Sequence, residues 1–206
     1  MTATVLVFLK YPEPGRVKTR LATAIGPDRA AALYRDWIGV VLRALQPARS
    51  RVTLVGYHDG GPAERFAGWS PLVDVWRPQP PGDLGDRLAA GFADAHVYGG
   101  PVLAVGTDCP EIDARLIDRA LELLLDRDAV FGPATDGGYY LVGTARHLPE
   151  FFDGVRWSSP HTRSDHLARC RERGWSFGLL PELADIDTGD DWQAYLERRG
   201  SSHDPG

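Results

Sequence analysis

Two hydrophobic periods alternate along this chain. Val5-Leu-Val-Phe-Leu9 is an unbroken apolar run of strand length. From Pro27 to Leu45 the period becomes helical, with Leu33/Tyr34, Trp37/Ile38, Val41/Leu42 and Leu45 on one stripe and a proline at the opening position. Arg51–Tyr57 reads as a second strand, Ala63–Ala67 as a short helical turn and Leu72–Trp76 as a third strand. Asp86–His96 then reads as a helix and Pro101–Val105 as a fourth strand. Asp113 is placed to cap a helix reaching Leu125, with Leu116, Ile117, Ala120, Leu121 and Leu124 inward. Extended runs follow at Ala129–Phe131 and Tyr139–Val142. Ser164–Arg173 is helical in pattern, Phe177–Leu180 extended, and Asp190–Arg199 a last helix.

Strand and helix therefore alternate, with closely spaced extended runs in the second half. The order predicts a three-layer α/β domain on a mostly parallel mixed sheet that includes an antiparallel strand. No linker or internal repeat divides it, so residues 1–199 are expected to form one domain and 200–206 a flexible tail. In such sheets ligands gather beyond the carboxyl ends of the strands, and polar residues there carry the most information.

The segment after the first strand is Lys10-Tyr-Pro-Glu-Pro-Gly-Arg-Val-Lys-Thr-Arg-Leu21. Lys10, Arg16, Lys18 and Arg20 fall within eleven residues, on a backbone stiffened by two prolines and turned by Gly15. A rigid basic loop at that position suits a phosphate or pyrophosphate group; a solvated basic turn is the plain alternative. The GxxxxGK[ST] and GxGxxG fingerprints are both missing here, so side chains rather than a nest of amides must make most of the contacts. Lys18 and Arg20 suit an opening helical turn.

Overall charge narrows the ligand class. The chain has 206 residues, with 23 Lys/Arg against 28 Asp/Glu, a net −5 that disfavours nucleic acid as a partner. Residues 1–60 carry nine basic and four acidic side chains, whereas 181–206 carry two and seven. A basic lip on an acidic protein favours a small anion. Two cysteines, Cys109 and Cys170, are too few for a disulfide scaffold, and Cys109 reads as a small buried thiol. No apolar stretch approaches 18 residues and no leader pattern follows Met1, so a cytoplasmic protein without membrane insertion is expected. A homodimer is compatible with the sequence.

Acids follow later strands. In Gly106-Thr-Asp-Cys-Pro-Glu-Ile-Asp113, Asp108 is positioned to hold a hard divalent cation, while Glu111 and Asp113 suit a helix start. In Gly132-Pro-Ala-Thr-Asp-Gly-Gly-Tyr-Tyr140, Asp136 fits a metal ligand, a sugar-orienting group, a base or a plain turn residue. Gly137 and Gly138 allow either close ligand approach or a hairpin turn. Gly82, Asp83, Gly85 and Arg87 form a glycine-flanked helix entry able to meet a nucleobase edge or phosphate. Near the end, Asp185, Asp187, Asp190 and Asp191 lie within seven residues. Asp187 suits a second metal ligand, Thr188 or Asp190 a helix cap, and Asp185 and Asp191 a solvated lip.

These segments, in order, resemble the GT-A-like nucleotide-diphospho-sugar transferase superfamily, and most closely its small bacterial DUF2064 branch. The resemblance rests on Lys10–Leu21, Gly82–Arg87, Gly106–Pro110, Gly132–Leu141, Trp157-Ser158 and Asp185–Thr188. It implies a Rossmann-like fold with Mg²⁺ or Mn²⁺ beneath a diphosphate, held by Asp108 and completed by Asp187, by Asp136 or by water. The sequence after Asp108 is Cys-Pro, so the second acid of the usual Asp-x-Asp pattern is missing.

The implied activity is glycosyl transfer from a nucleotide sugar to a small-molecule acceptor. Lys18 and Arg20 would stabilise the leaving diphosphate, Asp136 would serve as base or orienter, and Trp157 would wall the sugar or acceptor. Lys10, Gly15, Arg16, Gly82, Asp83, Gly85, Arg87, Gly137 and Gly138 would line the substrate site. The related guanylyltransferases also carry an early Lys-Thr/Ser-Arg-Leu segment and a late Asp-x-Asp. Nucleotidyl transfer from a nucleoside triphosphate to a phosphorylated or carboxylated metabolite is therefore a second expectation. A nucleotide-binding protein without turnover is a third.

Overall fold

Residues 2–201 are described by the computed structural model, with backbone only at 199–201. Seven strands form one sheet: β1 (Ala3–Lys10), β2 (Val52–Asp59), β3 (Val75–Pro78), β4 (Val102–Val105), β5 (Ala129–Pro133), β6 (Tyr139–Thr144) and β7 (Phe177–Leu179). Their spatial order is β3-β2-β1-β4-β6-β5-β7. Strand β6 runs antiparallel to both β4 and β5, while the other neighbouring pairs are parallel. The sheet is thus mostly parallel and mixed, as the alternation of elements requires.

Among the described residues six helices cover the sheet: α1 (Thr19–Ile25), α2 (Pro27–Ala44), α3 (Leu84–His96), α4 (Ala114–Leu123), α5 (Thr162–Glu172) and α6 (Gly189–Ser201). The two-residue period of β1 sends Val5, Val7 and Leu9 into one core with residues of α1, α2, α4 and α6. Leu6 and Phe8 enter the other, with α3, α5 and the loop Leu148–Phe152. A strand buried on both faces reads as a continuous apolar run, which explains the first motif.

Several boundaries moved. The turn expected at Ala63–Ala67 is a 3₁₀ segment running to Leu72, with Pro71 inside it. Strand β3 therefore starts only at Val75, after Asp74 has accepted a hydrogen bond from the Leu54 amide at 2.7 Å. Helix α3 begins at Leu84 rather than Asp86 because Asp83 caps it and Asp86 returns the bond, a reciprocal capping box. The last helix extends to Ser201, so part of the expected tail is helical; residues 202–206 lie outside those described. No helix among the described residues is long and apolar enough to cross a membrane.

Candidate functional site

The chain leaves β1 for β2 and β3 on one side and later crosses to β4 on the other. The carboxyl ends of β1 and β4 therefore flank a topological switch point, where a crevice opens. Tyr34 of α2 ties its two lips together. Its hydroxyl accepts from the Lys10 amide at 3.2 Å and lies 2.9 Å from the Thr107 hydroxyl. Burial, helped by the charge of Asp108, pushes this phenol up to about 12, so it stays neutral.

Lys18 lies at the centre. Its ammonium contacts Asp108 Oδ1 at 2.5 Å and Asp187 Oδ1 at 2.6 Å. The lysine side chain is 4 % exposed, whereas those of Asp108 and Asp187 are 52 % and 38 % exposed. Burial opposes the lysine charge, but the two carboxylates more than offset it and hold the ammonium well above its usual range. Tyr34 and Trp37 present ring faces 6.0 and 5.6 Å from the ammonium. Lys18 takes the left-handed conformation (φ 47°, ψ 44°) immediately ahead of α1. Such strain in a non-glycine residue persists where its surroundings over-determine it, as at binding sites.

Asp108 and Asp187, far apart in sequence, are joined by backbone pairing. The Ile186 amide donates to the Asp108 carbonyl at 3.1 Å, and Leu183 pairs with Pro133 and Thr135 beyond β5. This strip delivers Asp185 and Asp187 to the exit of β4. Asp191 does not form a solvated lip. Its carboxylate accepts from the Asp187 and Thr188 amides and from the Thr188 hydroxyl, and Thr188 receives the Asp191 amide in return. Between the two caps considered for α6, Thr188 is the one that acts.

Two adjoining cavities result. A basic basin of about 290 Å³ is lined by Lys10, Arg16, Lys18 and Arg20 with Asp108 and Asp187. An acidic cleft of about 670 Å³ shares Arg20, Asp108 and Asp187 with it and adds Asp136, Gly138, Tyr140 and Asp185. Asp185 is the acid that the sequence reading left as a possible surface group. It is half-buried, and burial together with Asp136 and Asp187 raises its carboxyl to about 6.

Asp136 lies in the β5–β6 hairpin, exposed, and accepts from the Gly138 amide at 2.8 Å. It has a turn role and also lines the cleft. Gly137 (φ +91°) passes so close to the Pro160 carbonyl that a Cβ would lie 2.3 Å from its oxygen. Gly15 (φ +76°) only turns the exposed basic loop and meets nothing nearby.

In the glycine-flanked helix entry Leu84 lines the cleft, while two charged side chains are engaged elsewhere. Asp83 is committed to the α3 cap. Arg87 donates to Asp59 at 3.1 Å, to Gln79 at 3.0 Å and to the Gly82 carbonyl at 3.1 Å, and lines neither cavity. It braces the ends of β2 and β3 against the loop. Trp157 packs among Tyr139, Phe152 and His166. A Cβ on Gly85 would lie 2.2 Å from its indole nitrogen, so the glycine makes room for the ring. Trp157 supports the wall formed by Ser158 and Ser159. Cys109 is buried, and burial pushes its thiol far above the reactive range.

A divalent cation fits this donor set. Asp108 and Asp187 direct one oxygen each at a single point, now taken by an ammonium, and Asp136 and Asp185 add negative potential beside it. Among the described residues no group of three or more His, Cys, Asp or Glu could hold an ion unaided. Two carboxylates completed by phosphate oxygens and water suit Mg²⁺ or Mn²⁺.

Comparison with known proteins agrees with the geometry. The family model described as an uncharacterized protein conserved in bacteria (DUF2064) matches residues 41–159. No curated protein is a significant sequence match. The crystal structure of a protein from Desulfovibrio desulfuricans G20, provisionally assigned as a nucleotide-diphospho-sugar transferase, is 34 % identical with a TM-score of 0.89. That match covers 98 % of this chain and 90 % of that one. Glucosyl-3-phosphoglycerate synthase from Mycobacterium tuberculosis, solved with Mn²⁺, UDP and phosphoglyceric acid, is 12 % identical (TM-score 0.58), with 96 % and 75 % covered. CMP:2-keto-3-deoxy-manno-octonic acid synthetase bound to CTP is 13 % identical (TM-score 0.58), with 98 % and 100 % covered. The last two share the fold. The chain belongs to the DUF2064 family and is built on the nucleotide-diphospho-sugar transferase fold.

Proposed function

We propose that this protein is a transferase that moves a glycosyl group from a nucleotide-diphosphate sugar to a small acceptor with the help of Mg²⁺ or Mn²⁺. The observation that carries the proposal is the junction of the two cavities. A basin ringed by cations meets a carboxylate-lined cleft at Lys18, Asp108 and Asp187. The basin suits the diphosphate, and the cleft suits the sugar and the acceptor hydroxyl. The D. desulfuricans relative, similar over nearly the whole chain, supports the same class.

In this reading Lys18, Arg20, Arg16 and Lys10 hold the diphosphate and meet the charge that develops as it leaves. A cation held by Asp108 and Asp187 would take the place of the Lys18 ammonium there, freeing it for the diphosphate, and would supply Lewis-acid stabilisation of the same oxygens. The acceptor oxygen bonds to the anomeric carbon as the bond to the diphosphate breaks, and the bonding pair departs with the nucleotide. Asp136, which lines the cleft, takes the acceptor proton. Gly138 lets the backbone approach the sugar, and Trp157 keeps that wall in place.

One observation favours a second reading, nucleotidyl transfer. The basic basin that suits a diphosphate can equally meet a triphosphate losing pyrophosphate. A panel of nucleotide sugars and nucleoside triphosphates, each with Mg²⁺ or Mn²⁺ and candidate acceptors, separates the two. Glycosyl transfer releases nucleoside diphosphate and leaves sugar on the acceptor, whereas nucleotidyl transfer releases pyrophosphate. Tight metal-dependent nucleotide binding with no product would sink both and leave a binding protein.

A further inference from the structure

Apart from the cleft, a cavity of about 310 Å³ lies between α2 and the 3₁₀ segment. Three guanidinium groups, Arg35, Arg43 and Arg65, line it against one carboxylate, Asp36, on a protein whose net charge is −5. Among the described residues the Arg35 and Arg43 side chains form neither an ion pair nor a hydrogen bond. Arg65 is held in place: its guanidinium stacks 3.7 Å from the Tyr11 ring centre and donates to the Gly60 carbonyl at 2.7 Å. Glu13 is its nearest acid, at 3.8 Å. Trp69 supplies a half-buried aromatic wall.

A second observation points to the same place. Gly39 is buried in the interior of α2, where glycine costs about 0.5–1 kcal/mol relative to alanine. A Cβ there would lie 3.0 Å from one Arg43 terminal nitrogen and 3.2 Å from the other. The missing methyl leaves room for the exposed guanidinium of Arg43, one turn on, to fold back over Gly39, and a methyl there would shift it by a few tenths of an ångström.

We propose that this cavity is a second anion site, separate from the basic basin, and that it takes a phosphorylated small molecule. The phosphate is held between Arg43 and Arg65 with Arg35 at the rim, and the body of the molecule lies against Trp69. Guanidinium forks suit phosphate oxygens through paired, charge-assisted hydrogen bonds. The site stands independently of the chemistry assigned to the cleft.

Inorganic pyrophosphate is the probe, and the indole N–H resonance of Trp69 the readout, because a ligand in the cleft does not touch that ring. A saturable Trp69 shift is expected in the unaltered protein. Arg43→Ala should weaken it about tenfold, the loss of one charge-assisted contact. Gly39→Ala is the sharper variant. It should hold or raise thermal stability through better helix propensity while weakening pyrophosphate at Trp69, because the new methyl displaces the guanidinium. Arg16→Ala, in the basin, should leave the Trp69 titration unchanged. The proposal is overturned if Trp69 does not respond by about 10 mM pyrophosphate, beyond the millimolar range of weak sites. It is equally overturned if Arg43→Ala and Gly39→Ala both titrate as the unaltered protein does.

Discussion

At the scale of single residues, the site turns on one buried cation shared by two half-exposed anions. Lys18 cannot lose both partners cheaply, whereas Asp108 and Asp187 remain half in water. Asp108→Asn keeps the shape and removes one charge. It should cost about 1–2 kcal/mol in urea unfolding at pH 7, below the usual penalty for uncovering a buried ion, because Asp187 still faces Lys18 and solvent screens Asp108. The same variant should bind UDP with Mn²⁺ about tenfold or more weakly by calorimetry. Unchanged affinity in the presence of Mn²⁺ would remove Asp108 from the site. The cations and acids gathered here were visible in the sequence because each follows a strand. Tyr34 was not, since its place on the apolar stripe of α2 gives no sign that its hydroxyl bridges two strand exits. Asp185 was also unreadable as a cleft residue, because its burial depends on the pairing of Leu183 with the end of β5.

At the scale of elements, the cleft depends on backbone turned tightly where two segments meet. The β5–β6 hairpin carries Asp136 on a turn whose Gly137 has φ +91° and sits against the Pro160 carbonyl. Gly137→Ala forces an L side chain into that conformation at about 1–3 kcal/mol before the contact with Pro160 is counted. A drop in melting temperature of at least several degrees is expected, because the clash is with backbone and no side chain can swing aside. An unchanged melting temperature would mean that the hairpin has room to move and does not fix Asp136. Sequence reading located this turn but could not say what it packs on, since Pro160 belongs to a loop-rich stretch without periodicity. Elements with a strong period, α2 and β1 above all, were legible almost to the residue. Of the boundaries set by reciprocal side-chain bonds, Thr188 with Asp191 was legible only as a candidate cap, and Asp83 with Asp86 was missed.

At the scale of the whole molecule, the order of elements is enough to derive a mostly parallel sheet, but not which loops converge. Strand β6 enters antiparallel between β4 and β5, so Tyr139 and Tyr140 start at the ligand edge, and Tyr139 also reaches the second core. That core is rich in aromatic rings and contains a fully buried histidine, His166, against Phe131, Phe151, Phe152 and Trp157. Burial lowers its pKa from the ordinary 6.5 to about 3, and the Phe151 backbone opposes this only in part. The unfolded chain therefore takes up a proton near pH 6.5 that the folded chain refuses until about pH 3. Above 6.5 the histidine is neutral in both states and makes no pH-dependent difference. Below it stability should fall by about 1.4 kcal/mol per pH unit on account of this one group, levelling off near pH 3. His58 and His96 shift in the same direction, so the comparison must be with a variant that leaves them in place. His166→Phe suits the surrounding rings and has nothing to protonate. Urea unfolding of both proteins at pH 7, 6, 5 and 4 should give stabilities that diverge steadily in favour of the variant below 6.5. Parallel curves across that range would show that His166 is protonated in the folded core and that its aromatic surroundings do not exclude the charge.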